Sequence, residues 1–179
     1  NCYIVSSAGT YCFPAYKGNS WQSVGSVAAV EVLWESFGTE SEPQRGDLIE
    51  SVTYGSKGTG EDWIYFKTSD LIYYPTGNAV IAAKDESGKI LWSWHIWLTG
   101  SPKEQVYANN AGTMMDRNLG ATSDAKGDGT SLGLLYQWGR KDPFLGSSSI
   151  FYAAQPPSTI DWPAAVGADY ETGTIDYSV

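Results

Sequence analysis

His95 is the sole histidine of the chain, and Cys2 and Cys12 are its only cysteines. Any Ser-His-Asp or Cys-His device would have to be built around that one imidazole. It lies mid-strand in the run KILWSWHIWL (89–98), beside Trp92, Trp94 and Trp97. The plainer expectation there is a structural histidine on the less apolar face of a sheet. A zinc site of several histidines is excluded by count, and two cysteines with one distant histidine make a poor substitute. Neither cysteine has a recognisable catalytic context.

Two other groupings could do chemistry. Asp116, Arg117 and Asn118 precede Leu-Gly-Ala, and Gln137, Trp138, Gly139, Arg140, Lys141 and Asp142 follow a tight apolar run. Sugar hydroxyls need planar hydrogen-bond partners, and sugar C–H faces need an aromatic platform. Asp116, Arg117, Asn118, Trp138 and Arg140 are therefore the candidate ligand-binding residues. The competing expectation is that Asp116–Arg117 or Arg140–Asp142 ion pairs tie a loop-rich lobe together. No carboxylate pair identifies a glycosidase, because separation in space decides that chemistry. Asp124 and Asp128 resemble half of a calcium loop, but the alternating oxygen ligands and the closing Glu of an EF-hand are missing, so a solvated turn is the simpler reading. No cofactor is called for. The glycine-rich stretch 55–62 lacks the Gly-Lys-Ser/Thr ending of a phosphate loop.

The elements that must position these residues centre on 77–99. Asn78 to Lys84 is apolar, Asp85-Glu86-Ser87-Gly88 is a turn, and Lys89 to Leu98 returns with three of the eight tryptophans. Alternation places Ile90, Trp92, Trp94, Ile96 and Leu98 on one face, and Leu91, Ser93, His95 and Trp97 on the other. A four-residue loop pairs Ala83 with Ile90, Ile81 with Trp92 and Ala79 with Trp94. A three-residue loop pairs Asp85 with Lys89 and shifts those partners by one. The first register sets small residues against large ones on one apolar face. That face is expected in a sandwich core, leaving Trp97 and His95 as surface contacts.

Elsewhere the chain is rich in tryptophan, tyrosine and glycine, with 17% charged residues. About seven strand-like runs fall in the first ~100 residues, with turn signals between them, as in an immunoglobulin-like antiparallel β-sandwich. One run, 27–37, directs Val30, Val32 and Trp34 inward and Glu31 and Glu35 outward. The first run, Asn1 to Tyr16, reads as a hairpin, and one of its open registers sets Val5 opposite Gly9. Cys2 would then face Cys12, and a disulfide there would imply an oxidising compartment. Other loop lengths leave the two thiols apart. After a polar connector the texture becomes loop-rich, so the division expected is a sandwich over 1–100 and a lobe over 101–179. The chain opens and closes in strand-like runs, which reads as a fragment cut inside its second unit. A net charge of −9 argues against nucleic acid and anionic membrane as partners. No apolar run reaches the ~18 residues of a membrane-spanning helix.

Three stretches resemble known proteins. Asn1-Cys2-Tyr3-Ile4-Val5 with Gly9-Thr10-Tyr11, Phe13-Pro14-Ala15 and Lys17-Gly18-Asn19 is similar to a segment of secreted surface proteins of Bacteroidetes, and so is Gly77–Ala82 with Gly88–Trp97. Met115–Ala121 with Gly133–Phe144 resembles the start of the Fibrobacter major paralogous domain type, a C-type-lectin-like or sulfatase-modifying-factor-like lobe. This pairing is met in fimbrillin-like tip and cell-surface adhesion proteins. The resemblance implies export, attachment at the bacterial outer surface or a fimbrium, binding of a glycan or partner protein, and no defined catalytic residues. The usual Cys-Pro-x-Gly-Trp segment is missing, which implies a partial lectin-like lobe. The alternative expectation is a pilus or spacer module joined to neighbouring subunits by strand donation.

Overall fold

The computed structural model describes residues 2–37, 46–56, 62–70, 76–136 and 141–143. Among these described residues seven strands precede residue 99: β1 (Cys2–Val5), β2 (Thr10–Pro14), β3 (Ala29–Ser36), β4 (Ile49–Ser56), β5 (Asp62–Thr68), β6 (Gly77–Lys84) and β7 (Ile90–Leu98). One sheet runs in the order β1-β7-β6-β3 and the other β2-β5-β4. Every pairing in them is antiparallel except β1 with β7. The mainly β architecture expected from alternation and turn spacing stands, as a sandwich of two sheets. Val32, Ile81, Ala83, Trp94, Ile96 and Leu98 of one sheet meet Phe13, Ile49, Ile64 and Phe66 of the other in a single buried cluster. Phe13 stands at its middle, with ring centroids 4.6 Å from Tyr3, 5.1 Å from Trp94 and 6.1 Å from Phe66.

The first two strands do not form the expected hairpin. The register sets Cys2 beside His95 on β7, and Cys12 beside Tyr65 on β5. The thiols of Cys2 and Cys12 are free. Ser6 to Gly9 carry the chain from one sheet to the other instead of folding it back. Crossing lets both Val5 and Phe13 enter the core between the sheets, where a hairpin would keep both strands in one sheet. The crossing is tied down at β5: Gly9 N–H donates to Thr68 Oγ1 at 2.8 Å, and Thr68 N–H donates to Gly9 O at 3.0 Å.

The central hairpin closes through the shorter loop. Asp85 N–H donates to Lys89 O at 3.0 Å, and Gly88, at φ 83°, completes the turn. The Asp85 carboxylate accepts from Ser87 N–H, Ser87 Oγ and Lys89 N–H at 2.9, 2.6 and 3.0 Å. This loop alone would put the tryptophans out of phase with the core. A bulge at Leu91 restores the phase: Lys84 pairs with Ile90, then Ala83 with Trp92, Ile81 with Trp94 and Ala79 with Ile96. Small residues still oppose large ones, two positions along from the first register.

A second bulge, at Leu33, reverses part of β3. Val32 pairs with Ile81 on the core face, but Trp34 pairs with Val80 and Glu35 with Ala79. Trp34 is thereby moved to the opposite face, where it packs with Val80 and Leu134. Glu35, expected outward, turns toward the sandwich. Its two carboxylate oxygens accept Leu48 N–H at 3.2 Å and Ile49 N–H at 3.0 Å, fastening the start of β4 across the sheets. Burial pushes the Glu35 carboxyl above its usual range, outweighing those backbone bonds, which act to lower it.

Two outcomes are expected. Alkylation of the denatured chain without reductant labels both cysteines, as read by intact mass; a chain that takes label only after reduction contradicts the free thiols. Glu35→Ala leaves the amides of Leu48 and Ile49 without their acceptor and lowers unfolding free energy by about 1–3 kcal/mol in urea titration.

Candidate functional site

Alternation along the central hairpin leaves Ser93, His95 and Trp97 of β7, and Asn78, Val80 and Ala82 of β6, on the face turned away from the β2-β5-β4 sheet. All six are buried. The cover comes from the chain beyond Thr99. That stretch holds β8 (Glu104–Val106) and β9 (Thr113–Met115), paired as a separate ribbon, and short 3-10 turns at Ala108–Asn110 and Gly129–Ser131. Gly120, Ala121, Leu134 and Asp142 are buried residues of that stretch that meet the sheet. Trp97 and His95 are therefore not surface contacts. Trp97 has no exposure, and its Nε1–H donates to Ala121 O at 3.0 Å.

Three polar groups join sheet to lobe. The first runs through Asn78. Its Nδ2 donates to Gly120 O at 2.8 Å, which fixes Oδ1 as an acceptor. His95 Nε2 lies 2.8 Å from that oxygen and so carries the proton. Desolvation pushes the imidazole down to about 4, although the Asp142 charge acts to raise it. His95 is thus a neutral, locked hydrogen-bond donor at pH 7. The second group joins Ser93, Lys141 and Asp142. Ser93 Oγ lies 2.7 and 2.8 Å from the two carboxylate oxygens of Asp142. Lys141 Nζ lies 2.6 Å from Asp142 Oδ1 and 3.1 Å from Ser93 O, bonds Ser93 Oγ as well, and stands 4.8 Å from the Trp92 ring centroid. A serine beside a lysine has the composition of a nucleophile and base. Here the lysine is an ion-paired donor, and the serine is directed at a carboxylate.

The third group contains the predicted ligand residues Asp116, Arg117 and Asn118. Arg117 holds Asp116 through a fork, Nε to Oδ1 at 2.8 Å and Nη2 to Oδ2 at 3.2 Å, while Nη1 donates to Thr99 Oγ1 at 3.1 Å. The Arg117 hydrogen bonds hold the Asp116 carboxyl below its ordinary range, and Asp116 holds the guanidinium up. Asn118 Nδ2 donates to the carbonyls of Ser131 and Leu132 at 3.3 and 3.4 Å. These residues are brought together, but the hydrogen bonds of their side chains go to one another, to Thr99 Oγ1 and to the backbone. Trp138 and Arg140 lie outside the described residues. In the half-loop considered for calcium, Asp128 caps the turn that follows, accepting Thr130 N–H at 2.9 Å. Among the described residues no three His, Cys, Asp or Glu side chains gather as a metal site would require.

Sequence reasoning missed Asn78 and Ser93, and considered Asp142 as a partner for Arg140 rather than for Ser93 and Lys141. One signal was available: a serine and a histidine alternate with apolar residues on the back of a tryptophan-rich strand. No protein-family model matches the chain, and no curated protein or solved structure is found similar to it.

The depressed His95 pKa has a definite sign. The unfolded state takes up the proton at about 6.5 and the folded state only at about 4, so this contribution is complete above pH 6.5 and is lost as pH falls through that window. It is on the order of 3 kcal/mol. The raised Glu35 carboxyl acts oppositely, its contribution being present below its unfolded value and lost as pH rises. The difference between wild type and His95→Gln isolates the histidine: their melting temperatures converge between pH 7 and pH 4.5. Parallel curves refute the buried neutral imidazole. Gly120→Ala is expected to destabilise by about 1–3 kcal/mol or more. Gly120 has φ 80°, and an added Cβ would lie 2.5 Å from Leu134 and 3.1 Å from Asn78 Oδ1. Urea denaturation measures it.

Proposed function

We propose that the chain is a non-enzymatic component of a bacterial cell surface or fimbrial tip, and that it binds a glycan or a partner protein outside the cell. The observation that carries this reading is how the conspicuous polar side chains are used. His95, Ser93, Asp142 and Arg117 are directed inward, to the joint between sheet and lobe. A rigid sandwich with its loops is then what the molecule presents to a partner. The strand order, with β1 parallel on β7 and β7-β6-β3 facing β2-β5-β4, also supports an immunoglobulin-like classification.

A structural role as a pilus or spacer module is the second reading. It is favoured by the open edge at β4, where Glu50, Ser51, Thr53 and Tyr54 are exposed and no strand pairs on the far side among the described residues. An incoming strand could add there through backbone hydrogen bonds alone.

A glycan and matrix-protein binding screen on the full chain separates the two. The adhesin reading expects at least one saturable ligand and no turnover on glycoside and peptide panels. Hydrolysis of any panel member overturns the non-enzymatic assignment. Absence of every ligand, with strand-dependent assembly of copies, favours the spacer.

A further inference from the structure

We propose that the turn at residues 16–23 is a saccharide platform, with Trp21 as its stacking face, for pyranose sugars whose hydroxyls are equatorial. The proposal rests on the glycan-binding form of the function above and gives it a place.

Trp21 is 88% exposed, although indole is among the most costly side chains to leave in water. It is not on a loose loop. Tyr16 and Ser23 form a bridge, Lys17 N–H donates to Gln22 O at 2.8 Å, and Ser20 Oγ both bonds Lys17 O and accepts Gln22 N–H. The base of the turn is fastened to both sheets. Ala15 N–H donates to Asp62 O at 2.9 Å, Val24 N–H to Ala15 O at 3.0 Å, and Trp94 Nε1–H to Tyr16 O at 3.2 Å. Ala15 and Val24 are themselves in the core. The Tyr16 ring meets the indole edge-on, with centroids 5.8 Å apart. The indole is therefore held out from the surface by a structure ordered before any ligand arrives, which lowers the entropic cost of binding.

Its surroundings favour a sugar over a protein. The turn neighbours Gly18, Asn19, Ser20, Gln22 and Ser23 are all exposed and none is apolar. The side-chain amides of Asn19 and Gln22 make no hydrogen bond among the described residues. One aromatic ring with free planar amides beside it matches one pyranose ring: equatorial hydroxyls leave its faces lined with C–H, and the amides can pair with hydroxyls at the rim. A protein interface calls instead for several apolar anchors over roughly 800 Å² on each side. The net charge of −9 disfavours anionic sugars, so neutral glycans are the class expected.

The test uses the full chain in native gels containing soluble β-glucan, with calorimetric titration of cellohexaose. The wild type is expected to be retarded and to bind. Trp21→Ala should lose affinity on the order of tenfold or more with an unchanged melting temperature, and Trp21→Phe should recover part of it. Glucan binding that persists in Trp21→Ala overturns the platform and leaves the glycan-binding function standing. Loss in Trp138→Ala but not Trp21→Ala does the same and moves the site to that later run. A wild type that binds neither β-glucan nor any other neutral glycan overturns both. Self-association in sedimentation that Trp21→Ala abolishes makes the indole a contact between copies, and also overturns the platform.

Discussion

The centre of the β1-β7-β6-β3 sheet, along β6 and the second half of β7, is buried on both faces, and the rest of the molecule follows from that. One face meets the other sheet and is wholly apolar at its centre. The opposite face carries Asn78, Ser93 and His95, whose polar atoms have no water to turn to. A buried polar group left unpaired costs about 1–3 kcal/mol. The lobe answers two of them directly, Gly120 O taking the amide of Asn78 and Asp142 taking Ser93, while His95 pairs with Asn78 inside the sheet and Ala121 O takes Trp97. Among its described residues few are buried, and Gly120, Ala121, Leu134 and Asp142 of these lie at this joint. The stretch after Thr99 is thus organised by the polar demands of a sheet as much as by a core of its own.

Strand phase is the second theme. A sheet with two different buried faces tolerates no slip, because one residue of shift exchanges the faces. The chain manages this with bulges. The one at Leu91 repairs the phase lost to a three-residue turn, so that Trp94, Ile96 and Leu98 reach the core. The one at Leu33 breaks the phase of β3 and delivers Trp34 to the lobe and Glu35 to the sandwich. Glu35 then clasps Leu48 and Ile49 at the start of β4, in the opposite sheet. A carboxylate that alternation assigns to solvent becomes a strap between layers.

The same logic bears on function. Histidine, serine beside lysine, and arginine beside aspartate are residue sets with catalytic or ligand-binding precedent in general chemistry. In this molecule each is paired and at least half-buried, and His95 is held neutral by its burial. Trp21 has the reverse history. It sits in a polar, glycine-containing stretch that reads as loop, yet the hydrogen bonds of its turn and the anchoring of Ala15 and Val24 make it the most exposed large aromatic among the described residues.

What the sequence by itself determined was local. Period-2 alternation, turn residues and β-branched runs were enough for seven strands, a sandwich and the sorting of Trp94, Ile96 and Leu98 against Ala79, Ile81 and Ala83. These are properties of neighbouring residues, and backbone geometry enforces them wherever the strand lies. Tertiary structure decided what depends on partners distant in the chain. It sent β1 to β7 and β2 to β5, leaving Cys2 and Cys12 on different sheets. It placed bulges, which alternation cannot anticipate because an extra residue has no signature of its own. It also covered His95 and Trp97, since the residues that bury them lie more than 20 positions away and reveal their purpose only when a polar sheet face requires partners.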